Sequence, residues 1–178
     1  MSALWRAREL PLAMLPDGPA LQPMSSLHLD AVMAVEVAAY AFPWSRGNFI
    51  DSLAAGHPAW LLMDADGALL GYFVAMFGVG ELHLLNITVA PAVQGRGHAR
   101  RLIEALVGLA RERRARQLWL EVRETNGRAR AMYGRLGFAQ VGVRKNYYPA
   151  GFGRREDAVV MSLQIDPATP MEGGDALG

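Results

Sequence analysis

Between Glu81 and Arg114 the chain passes from an apolar, strand-like stretch into a long amphipathic one through a loop dominated by small residues, and that succession leaves few folds open. Glu81 to Val89 reads as a strand that stops at Pro91. Gly97 to about Arg114 reads as a helix, with Leu102, Leu106, Leu109 and Ala110 on one face and Arg100, Arg101, Glu104, Arg111 and Glu112 elsewhere. A strand that feeds a long helix through a tight turn is the building unit of α/β architecture. In such a loop the backbone N–H groups can turn toward a ligand, and the helix N-terminus adds about half a positive charge, so the place suits a pyrophosphate. A plain strand-to-helix connection has the same look. The loop lacks the Gly-Lys-Ser/Thr of a Walker loop and the spacing of a dinucleotide fingerprint.

The flanking sequence extends this unit. Ser25 or Ser26 can cap a helix through about Tyr40, with Val32, Val35, Ala39 and Phe42 at near-helical spacing. Phe42-Pro43-Trp44-Ser45 breaks it, and Ser45 caps a second helix through about Ala55. Trp60 to Met63 and Leu69 to Phe77 read as strands joined by a turn at Asp66-Gly67. Leu118 to Val122 is a short buried strand, and Asn126 caps a helix through about Leu136 that Gly137 ends in left-handed geometry. Phe138 to Tyr147 and Asp157 to Leu163 close the sheet. The expected order is strand, two helices, three meandering strands, helix, strand, helix and two strands, an α/β protein with a mixed sheet. Residues 1–20 and 166–178, rich in Pro and Gly, are expected to be irregular extensions of a folded unit at 21–165.

None of the 178 residues is cysteine, which excludes a disulfide framework, zinc-thiolate and iron–sulfur sites, and a cysteine nucleophile. His28, His57, His83 and His98 do not form a ligand-spaced set, so no metal is expected. No apolar run reaches the roughly 18 residues of a membrane span, and the N-terminus lacks a signal-peptide core, so the protein is expected in the cytoplasm, without membrane contact. The net charge of +1 hides an asymmetry: residues 95–160 carry 15 basic and 6 acidic side chains. That segment is expected to face something anionic, while near-neutrality of the whole argues against bulk nucleic-acid binding.

Two spaced motifs narrow the choice. Gln94-x-x-Gly97-x-Ala99, after a strand containing Asn86-Ile87-Thr88-Val89, resembles the acyl-CoA loop of the GNAT family of N-acetyltransferases. Asn126-x-x-Ala129-x-x-x-Tyr133-x-x-x-Gly137-Phe138 resembles the second signature of that family. Phe42-Pro43-Trp44-Ser45, Leu85-Asn86-Ile87, Trp119-Leu120-Glu121-Val122-Arg123, Asn146-Tyr147-Tyr148-Pro149 and Arg155-Glu156-Asp157-Ala158 resemble its RimI-type ribosomal-protein-alanine N-acetyltransferases. The resemblance runs from about Leu21 to Leu163. It implies a GNAT fold, a mostly antiparallel mixed sheet of six to seven strands with about four helices, and acetyl-CoA as co-substrate without a metal.

The resemblance also implies roles. Ile87, Thr88 and Val89 would offer backbone groups to pantetheine, and Val89 N–H would polarise the thioester carbonyl. Gln94, Gly95, Arg96, Gly97, His98, Ala99 and Arg100 would hold the pyrophosphate. Asn126 would cap its helix and reach the CoA arm. Gly95 stands where relatives often carry a basic or larger residue, and Ala99 replaces a common glycine, departures that backbone contacts tolerate. Glu121, at the carboxyl end of a strand where ligands collect in α/β sheets, would be the general base; an exposed strand-end carboxylate pairing with Arg123 or a neighbour is the plainer reading of its residues alone. Tyr133 would protonate the leaving thiolate, or else be a core tyrosine. Phe42, Trp44, Tyr147 and Tyr148 would wall a groove for the peptide N-terminus, with Arg144, Lys145, Arg154 and Arg155 flanking it; ordinary aromatic packing is the alternative for Trp44 and Tyr148. The expected activity is acetylation of the N-terminal alanine of a small-subunit ribosomal protein by a monomer without direct nucleic-acid binding. Acetylation of lysine or a small amine, and non-catalytic acyl-CoA sensing, are the competing readings.

Overall fold

A computed structural model describes residues 18–166. The expected N-terminal extension lies outside the described residues up to residue 17, and its last residue, Ala20, already begins a strand; beyond Asp166 the expected tail also lies outside them. Seven strands, β1 (Ala20–Pro23), β2 (Ala59–Met63), β3 (Leu69–Gly78), β4 (Glu81–Val89), β5 (Gln117–Arg123), β6 (Ala139–Ala150) and β7 (Arg154–Gln164), form one sheet in the order β1-β2-β3-β4-β5-β7-β6. Every neighbouring pair is antiparallel except β4 and β5, which the long helix connects in parallel. Helices α1 (Leu29–Ala39) and α2 (Arg46–Ala54) cover one face, and α3 (His98–Glu112) packs on the other, with α4 (Gly127–Arg135) contributing Tyr133 to the same core. This is the expected mixed, mostly antiparallel sheet with four helices.

The amphipathic stripe of α3 explains its seat. Leu102, Leu106 and Ala110 are fully buried against Leu82, Leu118 and Leu120. Each such leucine contributes about 1.5–3 kcal/mol over an exposed one. The first helix departs from the expected stripe. A single 3-10 turn (Ser26–His28) precedes α1, whose buried residues are Leu29, Val32 and Glu36, while Phe42 is 45% exposed beyond the helix end. Tyr40 is already extended, so the period that would have placed Phe42 on the buried face ends before it. Strands β6 and β7 also run longer than expected, because a turn at Gly151–Gly153 lets them pair from Ala139–Ser162 to Ala150–Arg154.

One irregularity shapes the centre of the sheet. Opposite β3, Ala75 pairs with Leu84 but Val74 pairs with Asn86, so Leu85 is an extra residue, a β-bulge. Before it, Leu82 and Leu84 point into the core beneath α3; after it, Asn86 and Thr88 point toward α1. Pairing of β4 with β5 also stops there, at Leu84–Leu120. Beyond that rung the two strands part, and a split opens within the sheet.

Candidate active site at the split between two strands

Along the split, β4 turns the backbone groups of alternate residues toward the gap. The Ile87 carbonyl accepts a hydrogen bond from the Tyr40 hydroxyl at 2.9 Å, and the Val89 carbonyl accepts one from Gln94 Nε2 at 3.1 Å. Their N–H groups face the same gap, past the last rung with β5. Thr88, expected beside them as a backbone contact, has its neighbours elsewhere: Tyr72 opposite it on β3, and Glu36, Tyr40 and Asn86 around its hydroxyl. Gln94 therefore ties the end of β4 to the loop that follows.

That loop is built for an anion. Gly95 and Gly97 have φ of +78° and +84°, left-handed conformations that a side chain disfavours. Gly97 is the N-cap of the fifteen-residue α3, whose first closing bond is Arg101 N–H to the Gly97 carbonyl, so the N–H groups of His98, Ala99 and Arg100 have no partner within the helix. Burial first, then the charges of Arg101 and Arg96, push the His98 imidazole below its ordinary pKa. A neutral imidazole and a positive field are what a phosphate would meet. Arg100 is engaged with Glu104 at 2.8 Å, whereas Arg128 of α4, which the motif reading passed over, reaches within 3.6 Å of where a Cβ on Gly95 would stand. Its signal in the sequence was position alone, two residues past a helix cap. The Asn126 side chain caps α4 by accepting from Ala129 N–H at 3.1 Å, which leaves its amide donors for other work.

Opposite the loop, β5 carries Glu121 to the end of the split. Its carboxylate pairs with Arg144 of β6 at 3.1 Å, and not with Arg123, which instead pairs with Glu156 of β7 at 3.0 Å. The Tyr148 hydroxyl donates to the Glu121 carbonyl at 3.0 Å. Tyr133 is buried on α4, its ring 5.5 Å from that of Phe138. Burial above all, then Tyr40 and Tyr148, raises its pKa far beyond that of a free phenol; Tyr148 is raised by burial and then by the charge of Glu121. These phenols stay protonated at any physiological pH.

The groove residues divide. Phe42 lies over the Arg123 guanidinium and Tyr147 stands edge-on to Tyr148 with Arg144 above it. Trp44 turns inward onto Phe49, 5.2 Å between ring centroids, and of the four expected groove residues Phe42 lines the cavity beside Arg123 while Trp44, Tyr147 and Tyr148 do not. Of the flanking basic residues, Lys145 is held by Asp157 at 2.6 Å and Arg155 donates to the carbonyls of Asn146 and Tyr147, both at 2.7 Å.

The residue that sequence reasoning missed is Glu36. It is 1% exposed, and its carboxylate accepts from the Trp44 N–H at 2.8 Å, from the Tyr72 hydroxyl, from Asn86 Nδ2 at 3.3 Å and from Thr88 Oγ1 at 3.4 Å. The single Thr88 hydroxyl proton has Glu36 and the Tyr40 hydroxyl, 3.1 Å away, as alternative acceptors, and through Trp44, Tyr72 and Asn86 the buried acid braces α1, the connection to α2 and the strand that lines the split.

Known proteins resemble this chain in sequence and in fold. The acetyltransferase (GNAT) family profile matches residues 29–138. The [ribosomal protein bS18]-alanine N-acetyltransferase of Haemophilus ducreyi is 36% identical over 136 residues, 76% of this chain and 93% of that protein. That of Escherichia coli K12 is 36% identical over 142 residues, 80% and 95% of the two chains. The crystal structure of the Escherichia coli ribosomal-protein-S18-alanine N-acetyltransferase superposes with a TM-score of 0.77 at 34% identity, covering 86% of this chain and 97% of the other. With a split sheet, a glycine-turned loop at the head of α3 and a profile match that spans both, the chain belongs to the acetyltransferase (GNAT) family.

Proposed function

We propose that this chain transfers the acetyl group of acetyl-CoA to the N-terminal α-amino group of a protein, and that its substrate is the N-terminal alanine of ribosomal protein S18, in the cytoplasm. The observation that carries this reading is the split itself. An extended, amide-bearing arm can lie along a strand edge that has free N–H groups, and this edge runs from the anion loop to Glu121. The first residue to pair in that way is Val89, whose N–H is placed to donate to a thioester oxygen as charge develops there.

Acetyl-CoA, held by the N–H groups at the head of α3, by Arg128 and by Val89, supplies an acetyl group activated as a thioester. The acceptor must arrive neutral. An α-amino group with a pKa near 8 is about one-tenth neutral at pH 7, against less than about one-thousandth of a lysine side chain, so a modest base is enough. Glu121 takes the proton of the α-amine as its nitrogen bonds to the carbonyl carbon, and Tyr133, kept protonated by burial, gives its proton to the sulfur as the C–S bond breaks. With no cysteine in the chain, transfer is direct within a ternary complex. Phe42, Tyr147 and Tyr148 bound the space the peptide enters.

The test is acetylation of a short Ala-starting peptide, with the site of acetylation mapped by mass spectrometry. Acetyl on the α-amine, with turnover lowered about 10²–10⁴-fold by Glu121→Gln and strongly by Tyr133→Phe, is the expected result. Acetyl on a lysine with the N-terminus unmodified, or full turnover in both variants, would overturn the reading.

A further inference from the structure

Arg123 has no part in the steps above, yet four segments meet at it. Its guanidinium carbon lies 5.6 Å from the ring centroid of Phe42, in the connection between α1 and α2, and 4.6 Å from that of Tyr148 on β6. Nη1 donates to the Pro149 carbonyl at 2.9 Å and to Glu156 of β7 at 3.0 Å. The other Glu156 oxygen accepts from the Thr125 N–H at 2.8 Å and from the Thr125 hydroxyl, so the acid that orients Arg123 is itself fixed. The hydrogen bonds of Thr125 and the charge of Arg123 hold Glu156 below its ordinary pKa.

These residues surround a space a peptide end can use. Tyr40, Phe42, Arg123, Ala150, Gly151 and Glu156 line a cavity of about 320 Å³, at the small end of the range for binding sites. At one side it meets Tyr40, whose hydroxyl bonds the Ile87 carbonyl in the split. Its two walls, the Phe42 connection and the β6–β7 hairpin, share no hydrogen bond among the described residues. Arg123 is in contact with both.

We propose that Arg123 sets the width of the acceptor groove and thereby selects a small first side chain on the incoming peptide, an inference that rests on the reading of the site as an N-terminal acetyltransferase. A planar, delocalised cation can lie between two rings while its edge serves a carbonyl and a carboxylate; an ammonium has no plane with which to do this. Held this way, Phe42 cannot swing outward to admit bulk. Released, it can, and the penalty on a larger first residue falls. Arg123 is a positioning residue in this scheme, because it acts through the place it gives Phe42 and Tyr148.

The test uses the full chain, saturating acetyl-CoA and two otherwise identical hexapeptides that begin with Ala or Leu. In Arg123→Gln, the KM for the Ala peptide is expected to rise about tenfold while kcat falls far less, and the Ala-to-Leu ratio of kcat/KM to shrink about tenfold, within the range a few methylenes are worth in a fitted pocket. Arg123→Lys should follow Gln, and Phe42→Leu should shrink the ratio in the same direction in a residue whose exposure makes misfolding a poor explanation. The affinity for acetyl-CoA, measured by calorimetry, should not move in Arg123→Gln. A ratio unchanged in all three variants, or a fall in kcat with KM constant, or full rescue by Lys, overturns the proposal. A wild-type chain that prefers Ala while the variants keep the same ratio removes the width argument alone; a wild-type chain that acetylates neither peptide removes the underlying activity as well.

Discussion

Replacing Glu36 by Ala removes the acceptor from four buried donors at once. Two of them are close, the Trp44 N–H and the Tyr72 hydroxyl, and they sit on different carboxylate oxygens; Asn86 and Thr88 are at the limit of bonding distance. Leaving a buried donor of a charged pair unserved costs about 1.5–2.5 kcal/mol, so the two close donors alone predict a loss of about 3–5 kcal/mol. Set against a typical total of about 5–15 kcal/mol, that is a large share. At about 2–4 °C per kcal/mol for a domain of this size, the midpoint of thermal unfolding should drop about 6–20 °C. Glu36→Gln keeps one oxygen and can serve one of the close donors, so it should lose about half as much. Urea unfolding followed by circular dichroism, read with a constant m-value, measures both. Because Glu36 holds Trp44, and so the connection that carries Phe42, the surviving Gln variant should also show a raised KM for the acceptor peptide. An Ala variant within about 0.5 kcal/mol of the parent, the scatter of ordinary surface substitutions, would refute the bracing role.

Other outcomes follow from the same geometry. Gly97→Val forces a β-branched residue into φ +84° at the head of α3, a strain of about 1–2 kcal/mol, and should weaken CoA binding by about tenfold in calorimetry while sparing pantetheine alone. Glu156 has a folded pKa below its unfolded value of about 4.5, so its bonds stabilise the groove wall at higher pH and lose that contribution as pH falls through the folded value; Glu156→Gln should flatten the fall of the melting temperature in acid. Turnover of the α-amine should rise with pH toward the amine pKa near 8, and a rate independent of pH across that range would contradict attack by the neutral amine.

Much of the scaffold was readable from local pattern. The stripe of α3, the cap at Asn126 and the left-handed Gly137 are short-range signals, and the elements they predict appear within a few residues of expectation. What escaped lies in contacts between distant segments. A glutamate in the middle of α1 looks like a solvent-facing residue until Tyr72, Asn86 and Thr88, which are 36 to 52 residues away, are brought to it. The partner of Glu121 could not be deduced either. Arg123, two residues along the same strand, is the one partner a local window can name beside an unspecified neighbour, but β7 offers it Glu156 while β6 delivers Arg144 to Glu121. Register across three strands decides that exchange, and no window of sequence contains it.

The extra residue in β4 has a further consequence. It acts as a frame marker: downstream of Leu85, odd and even positions exchange the faces they held upstream. Were the residue kept and the strand made to pair without the bulge, Asn86 and Thr88 would be driven into an oily layer and Ile87 and Val89 lifted out of it, whereas deleting it would keep every face and remove only the local kink. No gradual path of substitutions leads from one arrangement to the other. A chain that inherits the extra residue inherits the opening in its sheet with it, and drift in the surrounding side chains can alter which guest is welcomed there without closing the door.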